Sequence, residues 1–235
     1  GKSGYLVAEA AGGDRSFLKL SPVLAVVTNI DREHMDCYRN MRDVKKAFLD
    51  FMDRVPFYGV VVVCNDDGPL RKLFPQIRRR IVTYGTRRGS DFHIKLVKST
   101  FESEDRQPVS HFRVEYGYRD LGEFRLHVPG VHNVLNATAA IAVGIGLDIT
   151  ADDIRMALEN FRGVDRRFQL RGKAAGISVI DDYGHHPTEI RATLSAARQC
   201  GFGKIHVIFQ PHRYTPHLDP LAQFATAFPG GAPLA

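Results

Sequence analysis

With 235 residues, 44% of them hydrophobic, the chain is long enough for one large globular domain or two smaller ones, each with its own core. A net charge of +6 favours anionic partners such as nucleotides, phosphorylated sugars or nucleic acid, and three cysteines at wide, irregular spacing indicate neither a disulfide framework nor a zinc-knuckle pattern. No apolar run approaches the roughly 18 residues of a membrane span, and the opening GKSGYLVAEA lacks the apolar region of a signal peptide, so a reducing cytoplasm is the expected setting.

The chain opens without an initiator Met and closes on PGGAPLA, which reads as an internal piece of a longer protein. Gly1-Lys2-Ser3 is not the end of a phosphate loop, because the full pattern needs an earlier glycine, four spacers and a following helix. Tyr5 to Ala8 and Val23 to Asn29 read as strands, and Met41 to Val55 reads as a helix with apolar residues at 41, 44, 48, 51, 52 and 55. Tyr58 to Cys64 is a continuous apolar strand of the kind buried on both faces of a parallel sheet, ended by Asn65, Asp66 and Asp67. From Ile81 to Val128 shorter alternating segments (HIKLVK, HFRVEY, EFRLHV) suggest an antiparallel patch. Two helices follow, from about His132 to Leu147 and from about Ala151 to Phe161. After a linker-like stretch, RGVDRRFQLRGKAAG, a new β-α-β pattern begins: ISVID, a helix opened by Pro187, the strand KIHVIF, and a helix after Pro216. The restart predicts two domains, 1–162 and 163–235.

Four constellations could carry chemistry. DDYGHHPTE, from Asp181 to Glu189, joins a strand end to a helix start, where open α/β sheets bind ligands. Its carboxylates could hold a ribose hydroxyl, a metal or an amine, and its histidines a carboxylate or a proton; alternatively Asp and His cap the helix. In PGVHNVLNATAA, His132, Asn133 and Asn136 can share a helix face and offer the donors and acceptors an adenine edge needs, or Asn133 caps and Asn136 faces water. NIDREHMDCY sets Asp31, Glu33, His34 and Asp36 at another strand end, either a hard-metal site suited to magnesium or a solvated acidic loop, with Glu9 a further possible donor. Arg166 to Phe168 (RRF) and Gln210 to Thr215 (QPHRYT) bring arginine forks suited to phosphate or carboxylate. The remaining basic residues, Arg78 to Arg80 and Arg87-Arg88 among them, are dispersed without interleaved aromatics, which argues against a nucleic-acid-binding module.

Taken in order, YLVAEA, SFLKLSP, VTNIDREHMDCY, VPFYG, PGVHNVLNATAA, RRF, DDYGHHPTE and FQPHRYT resemble the Mur ligases over nearly the whole chain, and among them the branch that adds L-alanine to UDP-N-acetylmuramate. The resemblance implies an α/β fold: a P-loop-type central ATP-binding domain lacking its phosphate loop, then the first part of a Rossmann-like C-terminal domain. It implies ATP and Mg2+ as cofactors and UDP-N-acetylmuramate and L-alanine as substrates, in cytoplasmic peptidoglycan precursor synthesis, with no nucleic-acid or membrane partner and no oligomeric state specified. By the same resemblance Glu9 and His34 hold magnesium, and His132, Asn133 and Asn136 surround adenine. Arg167 reaches the ATP phosphates and Asp182 the ribose side. Tyr183, His185, His186, His212 and Arg213 border alanine and the muramyl carboxylate, with His34, His185, His186 and Arg213 as the catalytic set. Where relatives read Ala-Asp-Glu-Ser-Asp after the glutamate, this chain reads Ala10-Ala11-Gly12-Gly13-Asp14, two acids fewer beside the metal, and neither Lys45 nor Lys46 has the spacing of a carbamylated lysine. A recycling relative that attaches a tripeptide tends to read DDFAHHPT without PHRYT, whereas Tyr183-Gly184 and Pro211 to Thr215 fit the alanine-adding branch. Without a phosphate loop, whose amides grip a triphosphate, the chain alone is expected to be inactive.

Overall fold

A computed structural model describes residues 4–10, 15–31, 37–102, 107–210, 224, 227 and 228. The apolar run at its centre becomes strand β2 (Val60–Cys64), flanked in parallel by β1 (Leu24–Val27) and β3 (Ile81–Gly85). Val61, Val62 and Val63 are at most 1% exposed, as expected of a strand covered on both faces. Burying each such side chain contributes about 1.5–3 kcal/mol.

Helix α1 (Met41–Met52) starts where Asn40 accepts the amide hydrogens of Arg42 and Asp43 at 2.9 and 3.0 Å. Its apolar stripe buries Val44, Phe51 and Met52, with Val55 just beyond, as the spacing predicts. Phe17 packs against Phe48 and Phe51 at ring-centroid distances of 5.5 and 5.2 Å. The short helix α2 (Gly68–Arg71) is capped by Asp67, whose carboxylate accepts the Leu70 amide at 2.7 Å.

In strand order the main sheet runs β1-β2-β3-β4-β5-β6, with β4 (Phe92–Glu102) leading into the antiparallel pair β5 (Gln107–Tyr116) and β6 (Arg119–Leu126). The antiparallel patch expected from Ile81 therefore begins later, because β3 joins the parallel strands. Phe112 and Phe124 stack at 5.7 Å and are fully buried. Helices α3 (Val131–Gly146) and α4 (Ala151–Asn160) follow; Arg155 of α4 donates to the Glu123 and Leu121 carbonyls of β6 at 2.9 and 2.8 Å. Among the described residues no helix is long and apolar enough to cross a membrane.

The supposed linker is partly strand. Gln169–Ala174 forms β7, antiparallel to β8 (Ile177–Asp181), around the two-residue turn Ala175-Gly176, both at positive φ. That geometry matches the twist of a hairpin. Helix α5 (Pro187–Gln199) follows. Two expected strands do not form: Tyr5 to Ala8 and Lys204 to Phe209 have no strand assignment. Leu6, Val7 and Ile208 are 93%, 93% and 100% exposed, and among the described residues neither segment is paired with a strand. The helix expected after Pro216 begins outside the described residues. By contact density the chain falls into two compact units, residues 1–93 with 138–147, and residues 94–137 with 148–235.

Candidate functional site

In the first unit, chemistry-bearing side chains gather beyond the carboxyl ends of β1 and β2. A cavity of about 190 Å3 has Val27, Asn29, Asp31, Tyr38, Phe48 and Phe51 in its lining. Asp67 is pushed above the usual carboxylate range by burial, against the amides of Leu70 and Ile30 that favour its ionised form, while Asp31 nearby adds to the rise. Asp66 accepts the amides of Thr86 and Arg87 at 2.8 and 3.0 Å, which closes the loop after β3. Glu9 is exposed. Among the described residues no group of three or more His, Cys, Asp or Glu side chains is arranged to hold a metal. One exposed carboxylate still fits magnesium, which takes hard oxygen donors and keeps several waters. His34, the other residue expected at that ion, and His212 and Arg213 lie outside the described residues.

The second unit carries the denser constellation, built by the junction of β8 and α5. Both Asp182 oxygens are engaged: Oδ2 accepts the Phe168 amide at 2.9 Å and Oδ1 the Gly184 amide at 2.7 Å. Gly184 can approach this closely because a Cβ there would lie 2.7 Å from Oδ1. The Tyr183 amide donates to the Arg166 carbonyl at 2.7 Å, and the Arg166 guanidinium lies 4.6 Å from the centre of the Tyr183 ring. DDY thus clamps RRF from two sides. The clamp holds a strained turn, since Arg166 and Phe168 have φ of 60° and 49°, conformations that cost non-glycine residues about 1–3 kcal/mol each.

Downstream, His186 is the N-cap of α5 and Glu189 completes a capping box. Glu189 Oε2 accepts the amides of His185 and His186 at 3.1 and 3.3 Å, and Oε1 lies 3.1 Å from Arg167 Nη1. Burial works to raise the Glu189 pKa, yet the His185 amide, Arg167 and the His186 amide together hold it below the usual glutamate value. The Tyr183 and His185 rings meet edge to face at 5.3 Å, and His185 Nδ1 lies 3.1 Å from the Tyr183 carbonyl.

His132 and Asn136 lie one turn apart and exposed on α3, while the Asn133 amide group donates to the Pro129 carbonyl at 2.7 Å. Although the residue is exposed overall, partial removal of water from the His132 ring lowers its pKa; the Asp182 charge opposes that and the Arg167 charge adds to it, so the balance favours the uncharged imidazole. Gly130, at φ 101°, leaves room for this ring, because a Cβ would fall 2.6 Å from His132 Cε1. The second unit therefore brings His132, Arg167, Asp182, Tyr183, His185 and His186 into one neighbourhood. Two participants make contacts other than those read from the sequence: Glu189 completes the cap of α5, and Arg166, read as part of an arginine fork for phosphate or carboxylate, lies over the Tyr183 ring. The capping-box spacing His186-x-x-Glu189 was a usable signal for the first; nothing in the sequence marks the left-handed backbone of the second.

Comparison with known proteins completes the picture. The family described as Mur ligase middle domain matches residues 5–144, and the family described as Mur ligase, glutamate ligase domain matches residues 166–228. The chain is 66% identical over 228 residues to the UDP-N-acetylmuramate--L-alanine ligase of Koribacter versatilis, covering 97% of this chain and 49% of that protein. It is 58% identical to the ligase of the same name from Acidobacterium capsulatum, with the same coverage. A crystal structure of UDP-N-acetylmuramate-alanine ligase MurC from Thermotoga maritima matches with a TM-score of 0.72 at 32% identity, covering 92% of this chain and 45% of that one. The chain spans about half the length of the curated relatives it matches. With the middle-domain match covering more than half of the sequence and a mixed α/β sheet to carry it, the chain belongs to the Mur ligase family.

Proposed function

We propose that this chain is the central ATP-binding domain, residues 1–162, and the first part of the C-terminal domain, residues 163–235, of a cytoplasmic ligase that joins L-alanine to the lactyl carboxylate of UDP-N-acetylmuramate in peptidoglycan precursor synthesis. The observation that carries the reading is 66% identity across nearly the whole chain to a ligase of that name. Mur ligases use ATP, and the muramyl carboxylate oxygen attacks the γ-phosphorus to give an acyl phosphate and ADP. The amine of L-alanine then attacks the acyl carbon, loses a proton and expels inorganic phosphate.

The roles follow from chemistry and position. His132, Asn133 and Asn136 receive the adenine, and the lowered pKa of His132 favours an uncharged imidazole beside an uncharged base. Arg167, about half exposed beyond its contact with Glu189, offers donors to the phosphate oxygens on which charge builds. Asp182 serves the ribose side mainly through the turn it holds, since both its oxygens accept backbone amides. Tyr183, His185 and His186, with His212 and Arg213, border the alanine and the muramyl carboxylate; His34, His185, His186 and Arg213 form the catalytic set. Magnesium would be held through Glu9 and His34, where it neutralises phosphate charge. The strongest rival is the tripeptide-recycling ligase. Full-length protein supplied with ATP and UDP-N-acetylmuramate should release ADP when L-alanine is added; release with L-Ala-D-Glu-diaminopimelate alone would overturn the reading in favour of the rival.

A further inference from the structure

We infer that Glu189 is a positioning residue for the nucleotide half of the reaction, one carboxylate fixing both the direction of the Arg167 side chain and the backbone that carries His185 and His186. The inference rests on the reading that Arg167 meets the ATP phosphates.

Three observations converge on this residue. The backbone on either side of Arg167 is already fixed, because Phe168 donates to Asp182 and Arg166 accepts from Tyr183. What remains undetermined is where the long side chain points, and the Glu189 contact at 3.1 Å determines it. The same carboxylate holds the amides of His185 and His186, so the arginine and the histidines are set relative to one another through a single group.

The physical consequence has a definite sign. A mobile arginine gives up its rotamer freedom when it binds an anion, whereas one already held by Glu189 has given it up beforehand. The negative charge of Glu189 acts the other way, repelling phosphate. That repulsion is muted, because the carboxylate is matched by one guanidinium, two peptide amides and the positive end of α5. Positioning therefore outweighs repulsion, and removing the charge weakens ATP binding.

The test is a double-mutant cycle on the full-length protein, reading the ATP dissociation constant by calorimetry for wild type, E189Q, R167A and the pair. Glutamine keeps an acceptor for the His185 and His186 amides but loses the charge that holds Arg167. In the wild-type background E189Q should weaken ATP binding by about three- to fivefold, the worth of a half-exposed ion pair. In the R167A background it should change binding by less than about twofold, because the residue acts through the arginine. An equal effect in both backgrounds, which a helix-capping role alone would give, overturns the proposal, as does unchanged or tighter ATP binding by E189Q. Should E189Q fail to fold, E189D, which keeps the charge but withdraws it from Arg167, enters the same cycle with the same criteria. Wild-type protein that binds no ATP would sink the nucleotide reading itself, an outcome distinct from uncoupled variants.

Discussion

Gly130→Ala isolates the link between backbone geometry and the proposed nucleotide site. Gly130 has φ 101°, so any L residue there is strained, at about 1–2 kcal/mol. The new Cβ would also lie 2.6 and 2.9 Å from His132 Cε1 and Nδ1 and 3.2 Å from Ala196 Cβ, so the imidazole must move. Strain and repacking together should lower stability by about 1–3 kcal/mol, or roughly 2–4 °C in Tm per kcal/mol for a protein of moderate size. Displacing His132 should weaken ATP binding about three- to tenfold, the worth of one hydrogen bond. Differential scanning calorimetry reads the first effect and titration with ATP the second. Gly172→Ala is the control: nothing lies within 4 Å of its would-be Cβ and its φ is ordinary, so both readouts should stay near wild type. A G130A protein with wild-type Tm and ATP affinity would refute the argument that this glycine makes room for His132.

Other outcomes follow from the same geometry. Asp182→Ala leaves the Phe168 and Gly184 amides without their acceptor and releases the strained RRF turn, so urea unfolding should show a loss of about 1–3 kcal/mol and ATP affinity should fall with it. Of the three thiols, Cys37 is exposed, while burial raises the pKa of Cys64 and pushes that of Cys200 up to about 11. Brief treatment of native protein with iodoacetamide should therefore label Cys37 and spare the other two in a peptide map. Because the folded-state pKa of His132 is lowered, the unfolded chain binds its proton more readily. This contribution to stability is complete above the unperturbed histidine value of about 6.5 and is lost as pH falls below it. His132→Gln should flatten that part of the Tm-versus-pH curve.

The sequence made the β8-α5 junction legible because an apolar run, a turn and Pro187 punctuate it in the order that a strand end and a helix start require. The stripe of α1 and the buried valines of β2 were readable for the same reason: periodicity reports burial directly. β7 escaped notice because five of its six residues are exposed, leaving no alternation to read, and its pairing depends on Ala175 adopting positive φ. Tyr5 to Ala8 and Lys204 to Phe209 show the converse error: β propensity describes a segment, whereas a strand also needs a neighbour. At the site, residue types pointed to nucleotide chemistry. That Asp182 would accept the Phe168 amide, and that Glu189 would reach Arg167, depended on contacts between residues 14 and 22 apart, which no local pattern encodes.

The most direct test of the ligase account labels the lactyl carboxylate of UDP-N-acetylmuramate with oxygen-18 and follows the phosphate released by full-length protein with ATP and L-alanine. Passage through an acyl phosphate transfers one carboxylate oxygen to phosphorus, so mass spectrometry should find inorganic phosphate carrying one labelled oxygen, formed in step with the alanyl product. Alanine-dependent phosphate without the label would contradict the acyl phosphate, and no alanine-dependent phosphate at all would contradict the assignment of L-alanine as substrate.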